Sequence, residues 1–235
     1  MTVARDSATL RILLAAPRKS GAAHLRCLLA AVYGLAVIDP RGAPPSDDLD
    51  ELPDGAVLAT DRAFSNTLGE SASRQRTHLI AILRHPFDLF MSTYQVAQQR
   101  MQRGEVHAPT GLEGKSLADP AVRNYLETRF TEQIAWLLDW HASGALIVRY
   151  EELIADPAAT FGALANRIDP VGSVQIDRAL LVCPTENPVR SRPSSGRRMP
   201  EVSPGAWREI LPPGIQAALM ERYGDVPHQL GYAND

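Results

Sequence analysis

TLRILLAAPRKSGAAHLRCLL, from Thr9 to Leu29, passes from one structural period to another within a single turn. Leu10 to Ala16 is an apolar run of buried-strand length. Pro17-Arg18-Lys19-Ser20-Gly21 follows as a compact loop. Ala22 to Ala31 then carries Leu25, Leu28 and Leu29 at helical spacing, with Ser20 as the expected N-cap. A strand that runs through a tight loop into a helix leaves the first helical N–H groups without internal partners. Those groups and the helix dipole favour an anion. Gly21 permits close backbone approach, and Lys19 adds a cation. Of the 24 basic residues only Lys19 and Lys115 are lysine, so a compact point charge stands in this loop where arginine is the rule elsewhere. A solvated turn with incidental charges is the alternative reading. The loop is not a Walker A motif, since GxxxxGK[ST] is absent.

The rest of the chain sets limits around that stretch. A length of 235 residues with 45% hydrophobic content suits one α/β domain spanning 1–235, with two small domains as the alternative. The net charge of −3 gives no global basic field, so nucleic acid is not expected as a partner. Cys27 and Cys183 form neither a zinc spacing nor a disulfide framework, and Cys27 reads as a buried free thiol. MTVARDSATL has no signal-peptide core, and no run of 18 apolar residues exists. A soluble, reducing, cytoplasmic setting without integral membrane contact is expected. No metal cluster is expected either.

Ala56 to Thr60, His78 to Leu83 and Ala145 to Val148 are further strand candidates. Helices are expected over Phe64 to Gln75, Pro86 to Arg103, Pro120 to His141, Pro157 to Ile168 and Pro213 to Tyr223. Ile176 to Leu181 is a weaker helix candidate. Asp39 to Asp54, Arg103 to Ser116 and Thr185 to Gly205 read as loops, and Gly224 to Asp235 as a tail. The alternation argues a mostly parallel sheet flanked by helices. Ligands in such sheets sit at the carboxyl ends of the strands. Lys19-Ser20-Gly21, Thr60-Asp61 and Arg84 fall at such ends.

Four blocks in order make the chain resemble the sulfotransferases that use 3′-phosphoadenosine 5′-phosphosulfate (PAPS). Lys19-Ser20-Gly21 is similar to the family's P-K-S-G-T-T-W loop. Arg84-His85-Pro86-Phe87-Asp88 with Ser92 is similar to R-x-P-x-D-x-x-x-S. Arg149-Tyr150-Glu151-Glu152-Leu153 with Asp156-Pro157 is similar to R-Y-E-D-L-x-x-D-P. Gly205-Ala206-Trp207-Arg208, with the arginines before it, is similar to R-K-G-x-x-G-D-W-K. His24-Leu25-Arg26-Cys27-Leu28 has the look of bacterial members that act on antibiotics and glycolipids.

The resemblance implies a P-loop-like phosphosulfate loop and sulfuryl transfer to a hydroxyl or amine of a small-molecule, glycolipid or natural-product acceptor. Spent cofactor, adenosine 3′,5′-bisphosphate (PAP), would be released. Arg18, Lys19, Ser20, Gly21, Ala22 and Ala23 would hold the phosphosulfate end, with Lys19 on the bridging oxygen. Arg84 and Ser92 would hold the 3′-phosphate, Arg197 and Arg198 would close over it, and Tyr150 would lie near the adenine. A homodimer stays open.

The chain departs from the pattern in three places. Ala22 and Ala23 replace two threonines. Asp61 stands where many members have a histidine general base, so Asp61 and His24 compete for that role, and an ion pair of Asp61 with Arg62 or Arg84 is the structural alternative. Arg197-Arg198 sit too far from Gly205, and Arg190 and Arg192 compete with them. Other classes are a second P-loop-like transferase, such as a nucleotide kinase, and a catalytically impaired relative that binds nucleotide or a protein partner.

Overall fold

The computed structural model describes residues 9–17, 20–38, 47, 49–104, 110–183 and 203–233. The apolar run of the opening stretch becomes β1 (Arg11–Ala15), the middle strand of five. Its neighbours are β3 (Ala56–Thr60) and β4 (Thr77–Leu83), with β2 (Ala36–Ile38) and β5 (Leu146–Arg149) at the edges, in the order β2-β3-β1-β4-β5. Every pairing is parallel. This is an α/β fold with an all-parallel central sheet, as expected. The three inner strands are nearly continuous apolar sequence because both faces of such a sheet are covered. β2 was not anticipated: it has three residues, pairs with β3 alone, and is exposed at Ala36 and Val37.

The chain divides into two compact units, Met1–Leu83 with Asp139–Glu186, and Arg84–Leu138 with Asn187–Asp235. The first holds the sheet together with α1 (Ala22–Tyr33), α2 (Asn66–Arg74), α6 (Tyr150–Ala155), α7 (Pro157–Ile168) and α8 (Ser173–Val182). One cluster unites Ile12, Leu14, Ile80, Ile82 and Val148 of the sheet with Leu25, Leu28, Phe161 and Ile176 of the helices. α7 begins where its sequence says it should, with Asp156 accepting from the Ala159 N–H at 2.9 Å and Pro157 at the first position.

The second unit contains α3 (Pro86–Gln102), α4 (Pro120–Glu127), most of α5 (Arg129–Ala142), α9 (Trp207–Ile210), α10 (Pro213–Tyr223) and α11 (Val226–Gln229). The single helix expected over Pro120 to His141 is two, since Thr128 leaves the helical region at φ −117°, ψ −87°. Phe130 is edge-on to Phe90 at 5.7 Å and to Tyr223 at 5.3 Å, which ties α3, α5 and α10 into one core.

The cysteine expectation is overturned as well. Cys27 is not a free thiol: it is bonded to Cys183, 156 residues away, with the Cα atoms 5.6 Å apart. Cys183 caps the carboxyl end of α8, which packs along α1. No local spacing announces such a bond, and the cysteine argument for a reducing setting falls with it. Among the described residues no helix is long and apolar enough to cross a membrane.

Candidate functional site

The carboxyl ends of β1 and β3 lie level, and β4 runs on past them to Leu83. Ala15 is paired with Thr60 on one side and Ala81 on the other. The Ala16 N–H then donates to the Thr60 carbonyl at 2.9 Å, so the loop leaving β1 starts against the residue pair Thr60-Asp61. Asp61 is exposed there, and Thr60 Oγ1 accepts from the Arg62 N–H at 3.2 Å. The Arg62 carbonyl accepts from the Trp140 indole N–H at 2.9 Å, which holds the exit of β3 in place.

Ser20 is not the N-cap of α1. Its hydroxyl donates to the Pro17 carbonyl at 2.7 Å, and the side chain is 0% exposed. The cap is Gly21, at φ 82° and ψ 13°, a left-handed conformation that favours glycine. The Gly21 carbonyl accepts from the His24 and Leu25 N–H groups at 3.1 and 3.2 Å. The N–H groups of Ala22 and Ala23 precede these bonds at the positive end of the helix. A Cβ at Gly21 would stand 2.8 Å from Cδ2 of Tyr150 and 3.0 Å from its Cε2. The buried Tyr150 ring therefore backs the loop, a contact the sequence did not indicate. Gly21→Ala adds this clash to a strained φ, a cost of about 1–3 kcal/mol. The expected result is a loss of stability of that size, read by urea unfolding.

His24 lies on α1 and is 4% exposed. Arg18 and Lys19 lie outside the described residues, as do Arg190, Arg192, Arg197 and Arg198.

In the second unit, Arg84 follows the last residue of β4 and is 1% exposed, and Ser92 is buried on α3. His85 caps α3 through Nδ1, which accepts from the Phe87 N–H at 3.3 Å, and Pro86 takes the first helical position. The helix start at Pro86 is the one expected from the sequence. Asp88 does more than face the positive end of this helix. Its Oδ2 accepts from the Gly205 N–H at 2.7 Å, so the second sequence block is bonded to the fourth. Burial pushes the Asp88 carboxyl up, while the Gly205 bond, the Arg84 charge, the Trp207 N–H and the Arg208 charge oppose that rise. Trp207 stacks on His85 at 6.0 Å and meets Phe87 edge-on at 4.8 Å, with the Arg208 guanidinium 4.6 Å from its ring. The only signal for this contact was the shared presence of Asp88 and Gly205 in two motif blocks.

Two clefts lie elsewhere. One of about 120 Å³ is lined by Val148, Glu152 and Arg167, and one of about 470 Å³ lies at the amino ends of β4 and β5 beside Arg76 and Ser143. Sheets of this kind bind at the opposite ends, so neither displaces the loop as the candidate.

No family model and no curated protein matches the chain. Solved structures do. The mouse sulfotransferase SULT7A1 complexed with PAP is similar with a TM-score of 0.62 and 17% identity, over 97% of this chain and 89% of that one. Retinol dehydratase in a complex with retinol and PAP is similar with a TM-score of 0.58 and 12% identity, over 94% and 83%. The chain has the sulfotransferase fold. A further retinol dehydratase structure, with androsterone and inactive cofactor PAP, scores 0.53 at 10% identity over 94% of this chain and 82% of that one. The likeness to bacterial natural-product enzymes gains nothing from these neighbours.

Proposed function

We propose that this chain is a PAPS-dependent sulfotransferase acting on a small-molecule hydroxyl or amine. The observation that carries the reading is the Gly21 corner. A left-handed glycine opens α1 at a strand end, and any side chain there would fill the space against Tyr150. A helix N-terminus opened by a glycine at a strand end suits a phosphate or sulfate oxygen. The named neighbours of the same fold were solved with PAP.

PAPS, when bound, supplies the sulfuryl group and a phosphate leaving group. The N–H groups of Ser20 to Ala23 hold the 5′-phosphate end, and Lys19 stabilises charge as it gathers on the bridging oxygen. Arg18 adds positive charge to the same loop. Arg84 and Ser92 hold the 3′-phosphate, where a guanidinium fork suits the oxygens. Arg197 and Arg198 add charge to that phosphate. Tyr150 acts from beneath the loop. Asp61, exposed at the end of β3, is better placed than the buried His24 to take a proton from an entering acceptor. With both reactants held in line, positioning and charge stabilisation suffice.

Calorimetric titration with PAP tests the reading. Micromolar binding is expected for the wild type. Arg84→Ala removes charge-assisted hydrogen bonds of about 1.5–3 kcal/mol, so its affinity is expected to fall roughly 10–100-fold. No heat in the wild type would end the sulfotransferase reading. Binding without sulfuryl transfer to any acceptor would favour the nucleotide-binding relative, a reading for which the lack of hydroxyls at Ala22 and Ala23 speaks.

A further inference from the structure

We propose that Asp88 is a positioning residue that locks Arg84 and the turn at 203–208 into one arrangement, and so sets the preference for a 3′-phosphorylated nucleotide. The inference rests on the sulfotransferase reading and deepens it.

A carboxylate at the third position of a helix serves the helix dipole well enough while exposed to solvent. Asp88 is instead 1% exposed. Burying a carboxylate costs several kcal/mol unless partners replace its water. Here the partners come from separate parts of the chain. The Gly205 N–H reaches Oδ2 at 2.7 Å across 117 residues. The Trp207 N–H, Arg84 and Arg208 also act on the same group. Gly205 is at φ 82°, so a left-handed turn aims its N–H inward. Trp207 then packs on His85 and Phe87, the cap and the second residue of α3.

The carboxylate therefore has two jobs at once. It sets a negative charge beside the buried Arg84 guanidinium, which limits where that guanidinium can point. It also fixes the turn that follows the arginines at 190–198 in sequence. Arg84 is the residue assigned above to the 3′-phosphate. Neither job concerns the phosphosulfate loop, so the effect of losing Asp88 is specific to one phosphate.

The test compares PAP with adenosine 5′-phosphate, which lacks the 3′-phosphate, by calorimetry on wild type, Asp88→Asn and Gly205→Ala. Asparagine keeps the shape and removes the charge. Alanine at Gly205 strains φ and places a Cβ 3.1 Å from the Arg208 guanidinium, which disturbs the same contact from the exposed side should Asp88→Asn fail to fold. Both variants are expected to lose about tenfold in PAP affinity, the worth of one hydrogen bond to a charged group, with adenosine 5′-phosphate affinity within about twofold of wild type. Asp88→Glu is expected to recover part of the preference. An unchanged ratio of the two affinities, or an equal loss for both nucleotides, overturns the inference and leaves the sulfotransferase reading standing. A wild type that does not bind PAP overturns both.

Discussion

Lys19→Ala is expected to slow sulfuryl transfer by ~10²–10³-fold, the usual effect of removing one group aimed at developing charge. PAP affinity is expected to fall by less than about tenfold, because the loop's backbone donors still hold the phosphate. The asymmetry follows from when the charge appears. The bridging oxygen of the intact cofactor carries little charge, and it gains charge only as the bond to sulfur breaks. A cation at that oxygen therefore favours the transition state over the ground state and acts on kcat more than on binding. Lys19→Arg is expected to restore little of the loss, since a planar fork does not present the compact charge of an ammonium group. Steady-state transfer assays paired with PAP titration check both statements. Equal losses in kcat and in PAP affinity would reassign Lys19 to binding alone.

Losing the Cys27–Cys183 bond is expected to lower stability by about 2–5 kcal/mol. The bond joins residues 156 apart, so it closes a large loop in the unfolded chain. Chain-entropy arguments place the gain from such closures near the top of the range. It also clamps two packed helices, since Cys27 lies on α1 and Cys183 ends α8, where it is 1% exposed. A loss of this size is a large share of the 5–15 kcal/mol typical of folded domains. Urea unfolding of the oxidised protein, of the reduced protein and of Cys27→Ser with Cys183→Ser checks it. The midpoint should fall in both reduced cases and the slope should rise, because the unfolded chain without the bond exposes more surface. Coincident curves would mean that helix packing alone holds α8 to α1.

Much of the fold was legible because it rests on neighbours in sequence. The apolar runs at 10–16, 56–60 and 78–83 are too short and too evenly apolar for anything but buried strands. They occupy the three inner places of the sheet. β2 escaped notice because an exposed edge strand of three residues has no apolar period to show. α6 escaped because Tyr150–Ala155 had been read only as a motif.

The site divides in the same way. His85-Pro86 and Asp156-Pro157 declare helix starts within three residues: the helices begin at the two prolines as expected, each capped by the residue before. Ser20 failed as a cap because the left-handed Gly21 takes the cap position one residue later, and the Ser20 hydroxyl turns back to the Pro17 carbonyl.

The sequence by itself determined where the strands end, which helices follow them, and which basic and hydroxyl residues stand at those ends. These are properties of spacing and capping over a few residues. Tertiary structure alone decided that Tyr150 backs Gly21, that Asp88 receives Gly205, and that Cys27 is bonded to Cys183. Each of these joins residues more than a hundred positions apart. Which distant groups meet is set by strand order and helix packing, where burial acts on the whole chain at once and leaves no mark in local pattern.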